Sequence, residues 1–428
     1  MKFFHDLGSL IERRWQDQNY NEEIFPEIAA QALQEMTPDK PADSWDIIRW
    51  LYTNTQLPAQ RDVDGKFGDP PITLYNAPRF YIDVYFWVDG TTDIHQHAFS
   101  GAFQVLAGSS IHSRYDFALD QKINAHFSTG RVVFKSVELL QEGDIRPIYP
   151  GDQFIHSLFH LDRPSATITV RTYHTPDAAP QYSYRKPYLA IDPFYREESA
   201  IKKVQSAALL LRSRHPEADA LIGDLLALSD FHTAYSVLHT AFSHLTQDEM
   251  ERVFHLSTGR ERFHNLLEKA RTRHGQLIDL IPPVFEEAQR QQNIVNRRVY
   301  LTDAEHRFFL ALLLNVPQRA QIVDLVRQRY PQSNPIDLIA DWVEELSTTR
   351  MLGSAEPNVL GVDNFDDDAL LVLRGLLEGL SLQEIKATFA EEYSENSENM
   401  EGEIEKTRSA FQNSILLKSL LFAPPLLS

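Results

Sequence analysis

Ile94-His95-Gln96-His97, preceded by Phe86-Trp87-Val88-Asp89-Gly90, places two histidines one residue apart in a β-rich stretch. Side chains at i and i+2 of a strand point to the same face, so His95 and His97 read as a pair on one surface. Roughly sixty residues later Pro150-Gly151-Asp152-Gln153-Phe154-Ile155-His156 answers them. A third imidazole arriving from a neighbouring strand can close three corners of a metal site.

Outward from this stretch the texture is that of a β-protein. Short apolar runs cover Phe80 to Val88, Ala102 to Ala107, Ile111 to Phe117, Ile123 to Phe127, Val132 to Leu139, Ile145 to Tyr149, Phe154 to Phe159 and Ala166 to Tyr173. Turn chemistry separates them at Asp89-Gly90, Gly108-Ser109-Ser110, Ser128-Thr129-Gly130, Glu142-Gly143-Asp144 and Pro150-Gly151. Many short strands at this rhythm predict a barrel or sandwich. Before it, helical spacing runs through Leu7, Leu10, Ile11 and Trp15, then Ile24, Ile28, Ala29 and Leu33. After the prolines Pro176, Pro180, Pro187 and Pro193 the pattern is helical almost to the end.

The fold class is therefore α+β and multidomain: N-terminal helices over 1–70, a barrel over 71–195, a helical domain over 196–300 and a helical module over 301–428. Helix, helix, helix and a hairpin-like stretch over 351–362 make that last module weakly similar to winged-helix domains and to small peptide-binding modules. The acidic run 391–405 reads as a solvated linker. The apolar C-terminal stretch from Ile415, interrupted by Lys418, reads as a packing helix.

Composition limits the chemistry. The chain has 428 residues, 43% of them hydrophobic, and a formal charge of −19 from 60 acidic and 41 basic residues. That balance disfavours a nucleic-acid surface over the whole molecule. With no cysteine, a metal must be held by histidine, carboxylate or carbonyl groups. The absence of a signal-peptide pattern or a spanning apolar run predicts a cytoplasmic protein that does not enter the membrane. Glycine-rich phosphate loops, dinucleotide fingerprints and nucleophile elbows are not found.

His95, His97 and His156 stand in the order and separation that resemble the two motifs of the cupin superfamily, whose fold is a double-stranded β-helix. Within it, Phe80 to Trp87, Gly90, His95-Gln96-His97 and Val105-Leu106-Ala107-Gly108, with Phe154-Ile155-His156 through Thr169-Val170-Arg171-Thr172-Tyr173, resemble the cysteine dioxygenase group of thiol dioxygenases. Tyr173 follows His156 at that family's spacing. The resemblance covers residues 70–175 and implies Fe(II) on His95, His97 and His156, with manganese, nickel or zinc as other divalent occupants. It also implies dioxygen and a small polar substrate, such as a thiol or amino-acid derivative, with Tyr173 as an acid. A homodimer follows by the same analogy.

The departures matter as much. The position of a fourth ligand or cross-linked cysteine is Gly101. The family's histidine two residues before the tyrosine is Arg171, whose fork can pair with a carboxylate. Tyr75-Asn76-Ala77 occupies the region of the family's carboxylate-binding arginine. His160 is a candidate support for the metal ligands, and His112 and Arg114 read as outer-face residues. The helical half holds His215, His232, His239, His244, His255, His264, His274 and His306 without a recognised ligand pattern, so they read as partly exposed helix residues. A different reading of the chain is a non-catalytic metal or metabolite sensor that signals through its C-terminal module. Another gives that module a peptide or carrier-protein partner.

Overall fold

The computed structural model describes residues 1–36, 44–63, 67–88, 90, 92–176, 178–246, 258–354, 356–363, 365–393 and 400–421. Asp89 of the predicted turn and His255 lie outside the described residues. The architecture is α+β: a β-rich centre covered by helices from both ends of the chain, with a helical C-terminal region.

Among the described residues eleven strands run β1 (Pro71–Asn76), β2 (Phe80–Trp87), β3 (His95–His97), β4 (Gly101–Ala107), β5 (Ser110–Asn124), β6 (Phe127–Leu140), β7 (Ile145–Ile148), β8 (Gly151–His160), β9 (Ser165–Thr172), β10 (Ser183–Arg185) and β11 (Leu189–Ile191). Five form a sheet in the order β1-β2-β9-β4-β7, and the other six close into a barrel in the order β10-β11-β6-β5-β8-β3. Every residue of β2 is buried, because both faces of the five-stranded sheet are covered. Phe80, Ile82, Val84, Phe86, Ile168 and Val170 meet Phe4, Leu7, Ile11 and Trp15 of the helix Lys2–Asp17 and Phe25, Ala29 and Leu33 of the next. The apolar spacing of those helices matches the helical period, which is why one stripe is buried. The alternate residues Tyr81, Asp83, Tyr85, Trp87, Thr167, Thr169 and Arg171 face an interior cavity.

Two sequence expectations are corrected in the barrel. Residues 111–124 belong to one long strand rather than two separate ones, the turn is at 125–126, and Phe127 with Ser128-Thr129-Gly130 lies inside β6 instead of preceding or forming a turn. The hairpin reverses after the pair Asn124↔Phe127, with Gly130 opposite Leu119 and register shifts between Leu119 and Gln121 and between Lys122 and Asn124. Those irregularities let turn-like residues sit within a paired strand.

The helical half shares its cores with the barrel. Phe127 and Leu189 pack with Leu226, Phe231, Val237 and Phe285. Ile111, Leu139, Phe159 and Leu161 pack with Phe308, Leu312, Val343, Phe411 and Leu416. The helix Ile281–Arg297 contributes Phe285 to the first cluster and Ile294 to the second. Arg298 adds a polar tie, standing 4.4 Å over the Phe159 ring and donating to the His160 carbonyl oxygen at 2.5 Å.

Beyond Ala304–Asn315, Arg319–Arg329 and Pro335–Thr348 the predicted hairpin is absent among the described residues. The stretch 351–362 forms turns, joined back by one backbone bond from Val359 N–H to the Thr349 oxygen at 2.9 Å. The acidic run 391–405, expected to be a linker, is helical at 391–393 and 400–405, within Leu382–Tyr393 and Met400–Asn413, and residues 394–399 lie outside the described residues. The C-terminal helix Ile415–Leu421 buries Leu416, Leu417 and Leu420 in the shared core. Among the described residues no helix is long and apolar enough to cross a membrane.

Because Phe159 is 1% exposed and sits in the core shared by barrel and helices, Phe159→Ala is expected to destabilise the fold by about 3–5 kcal/mol. Denaturant unfolding followed by circular dichroism measures it, and a loss below about 1 kcal/mol would show that the two regions are not held by this contact.

Candidate metal centre

β3 and β8 pair so that His95 stands directly opposite His156. The register then shifts, and His97 pairs with Gly151. Gly151 has φ +70°, a left-handed conformation that glycine adopts without steric cost, so the Pro150-Gly151 turn can enter β8 beside His97. The three imidazoles are buried, and their ligating nitrogens lie within 4.8 Å of one another. His97 Nε2 and His156 Nε2 are 2.9 Å apart, close to the roughly 3.0–3.4 Å separating two nitrogens bound at about 2.1 Å to one ion.

Proton placement follows from the partners. His95 Nδ1 is 2.8 Å from the Asp93 carbonyl oxygen, which can only accept, so Nδ1 carries the hydrogen and Nε2 keeps its lone pair. His156 Nδ1 is 3.0 Å from His112 Nε2, and His112 Nδ1 is 2.8 Å from a Glu138 oxygen. With Glu138 as acceptor, His112 donates from Nδ1 and accepts at Nε2, so His156 also donates from Nδ1 and frees Nε2. His97 Nδ1 is buried without a partner, which leaves that ring's tautomer free to adjust to an ion.

Burial lowers the pKa of His95 and, more strongly, those of His97 and His156, with neighbouring positive charges adding to the effect on the latter two. Neutral imidazole is the metal-binding form. Burial alone would raise Glu138, but hydrogen bonds from His112 and Arg146 outweigh it and bring the carboxyl down to about 2. Proteins usually orient a ligating histidine by fixing its second nitrogen on a carboxylate, carbonyl or water; His95 has a carbonyl in that place, and for His156 the ring of His112 stands between it and Glu138. Buried three-imidazole donor sets suit iron, zinc, nickel or copper, and the residues present fit a divalent ion.

The structure redistributes the other sequence candidates. His160 does not touch the three histidines: its Nδ1 is 2.9 Å from Ser110 Oγ and its ring stacks on Trp87 at 4.5 Å. Burial, followed by the Arg298 charge, lowers its pKa to about 3. The residue that contacts the back of the His156 ring is His112, which the sequence reading put on the outer face. β5 pairs with β8 so that Ser110, His112 and Arg114 lie opposite His160, Leu158 and His156.

Tyr173 is not among the side chains lining the cavity. β9 ends at Thr172, so strand parity no longer governs the tyrosine. Its hydroxyl lies against the Asn76 side chain and the Ala77 carbonyl, and accepts from Arg61 Nη2 at 2.9 Å. Arg171 does line the cavity, 3.4 Å over the Phe99 ring and 5.3 Å from the Tyr81 centroid, with its Nε buried and unpartnered.

Gly101 has a backbone reason to carry no ligand. A Cβ there would stand 2.1 Å from the Val170 carbonyl oxygen, because β4 and β9 are paired across Gly101 and Arg171.

Sequence reasoning missed Arg61 and Asp83, both of which line the cavity of about 260 Å³ that holds the histidines. Asp83 is 1% exposed. Its carboxyl is raised by burial, against the hydroxyls of Thr73 and Tyr85 and the charges of Arg171 and Arg61. One charge inside the run Phe80-Tyr81-Ile82-Asp83-Val84-Tyr85-Phe86-Trp87 was the available signal. Arg61 comes from a segment without regular structure and had no comparable signal.

No family model matches the sequence, and no curated protein matches it. Solved structures with partial likeness include hydroquinone 1,2-dioxygenase from Sphingomonas sp. TTNP3 with 4-hydroxybenzoate bound, 10% identical over 25% of this chain and 68% of that one, TM-score 0.19. The DMSP lyases RdDddP and RnDddQII are 13% identical over 35% and 72%, TM-score 0.20. The polyketide cyclase RemF from Streptomyces resistomycificus is 11% identical over 35% and 94%, TM-score 0.14. Likeness at this level assigns no chemistry to the chain.

His112→Ala should weaken divalent-metal affinity by about 10–100-fold while leaving the circular dichroism spectrum unchanged. Competition titration with a chromogenic chelator reads the difference, and wild-type affinity in the variant would remove His112 from the support of His156.

Proposed function

We propose that the chain is a metal-dependent cupin oxygenase in which His95, His97 and His156 hold Fe(II) and the adjoining cavity takes a small polar carboxylate, such as a thiol or amino-acid derivative. The observation that carries this reading is the convergence of three buried, neutral imidazoles in one cavity with two arginines and a buried carboxyl. The support for a double-stranded β-helix is the closed six-stranded barrel packed against a second sheet, with its histidines on paired strands.

When bound, iron supplies a Lewis-acidic redox centre at which dioxygen and substrate meet. The chain's own residues do the rest. Arg171, its plane set by Phe99 and Tyr81, offers a fork to a substrate carboxylate. Arg61, held by Tyr173, offers a second positive charge. Asp83 lines the same cavity, and the pKa raised by burial suits it to take or return a proton at the substrate. Trp87, Phe67 and Phe103 line the same space and limit water entry.

Metal analysis of the purified protein, anaerobic reconstitution with Fe(II) and oxygen-electrode screening of small carboxylates and thiols test the reading. Substrate-dependent oxygen uptake that disappears together with bound metal in His97→Ala is the expected result. A wild-type protein that retains no metal would overturn the proposal, and retention without oxygen uptake would favour a sensor.

A separate expectation concerns the arginine. Arg171→Leu should raise KM by about 10–100-fold, the loss of a charge-assisted pair worth about 1.5–3 kcal/mol, with metal content unchanged. Steady-state oxygen uptake measures it, and an unchanged KM would remove Arg171 from substrate binding.

A further inference from the structure

Each of the three imidazoles has a phenylalanine of the cavity wall against it. Between ring centres, Phe67 lies 6.1 Å from His95, Phe99 4.5 Å from His97 and Phe103 6.2 Å from His156. The wall beside the histidines is therefore hydrocarbon, and the charged groups Asp83 and Arg171 enter the cavity from β2 and β9.

Trp87 extends this wall. Its one polar side-chain atom, Nε1, donates to Thr167 Oγ1 at 3.1 Å, and its ring is stacked on His160 at an interplanar angle of 12°. The indole thus turns carbon surface to the cavity in one fixed orientation. Phe67 meets it at 79°, with ring centres 6.5 Å apart. The backbone holds Phe67 there: its N–H donates to Asp62 Oδ2 at 2.8 Å, and the Asp69 N–H donates to the Phe86 oxygen at 2.7 Å. Two rings kept near a right angle form a corner.

Aromatic pairs favour offset-stacked and edge-to-face arrangements. A flat ring seated in this corner satisfies both at once, because lying parallel to one wall sets it edge-on to the other. A saturated skeleton of the same carbon count gains area burial alone. Resting on the reading of this cavity as the substrate site, we infer that the body of the substrate is a planar aromatic ring lodged against Phe67 and Trp87. The substrate class narrows to aromatic carboxylic acids.

The test is calorimetric titration of the full chain, as purified and after chelation, with benzoate and with cyclohexanecarboxylate. The two acids share a carboxylate on a six-membered carbon ring and differ in flatness, and plain apolar burial favours the saturated one. Benzoate should bind wild type and Phe67→Tyr at least about 10-fold more tightly than cyclohexanecarboxylate, a difference of about 1.4 kcal/mol. In Phe67→Leu, a change at a residue 36% exposed, the preference should fall to about 3-fold or less. Equal binding of the two acids by wild type, an undiminished preference in Phe67→Leu, or no benzoate binding at millimolar concentration would each overturn the inference. The benzoate preference persisting in a wild-type protein that retains no metal would sink the oxygenase reading and support this one. Oxygen uptake with an aliphatic thiol, in a protein without that preference, would do the reverse.

Discussion

The antiparallel pairing that sets His95 opposite His156 is the constraint on which the candidate centre depends. Side chains alternate along a strand, so one residue of slip would move His156 to the opposite face and bring Ser157 inward. The register is held from several directions. β8 pairs with β5 as well as β3, Phe154 and Leu158 pack beside Phe103 and Ile148, and the His112–Glu138 contact reaches the back of the His156 ring. Three imidazoles can be kept neutral and close together because the surrounding core leaves them no alternative packing.

That core is closed from outside by both ends of the chain. The N-terminal helices cover the five-stranded sheet, and the C-terminal helices cover the barrel strands around Phe159. A sheet buried on both faces has room for only a few polar inward residues, and each must have a partner or a task. Asp83 and Arg171 are such residues. Their inward placement follows from the same alternation that sends Ile82, Val84 and Val170 to the helices.

Much of this was legible in the sequence because it depends on local period. The spacing of His95 and His97, the helical stripes of the first 35 residues and the strand rhythm from 72 to 173 all reflect a repeat of 2 or 3.6. The site's remaining membership depends on which strands pair, which no local period encodes. His112 and His160 illustrate this: both lie on strands, and only the β5–β8 register brings one to His156 and sets the other against Ser110. Tyr173 was placed by counting along a strand that ends one residue earlier. Arg61 reaches the cavity from a segment with no period at all, while Asp83 announced itself as a charge in an apolar run.

Gly101 carries a consequence for how such a centre can change over generations. With β4 and β9 in backbone contact there, a Cβ has no space, so no single substitution can install a carboxylate at that position without first parting two strands whose outer faces are buried under helices. The three-imidazole set is therefore insulated from the most direct mutational route to a four-ligand site. Diversification is channelled instead toward the cavity wall, where residues such as Arg61 can be exchanged without disturbing the sheet.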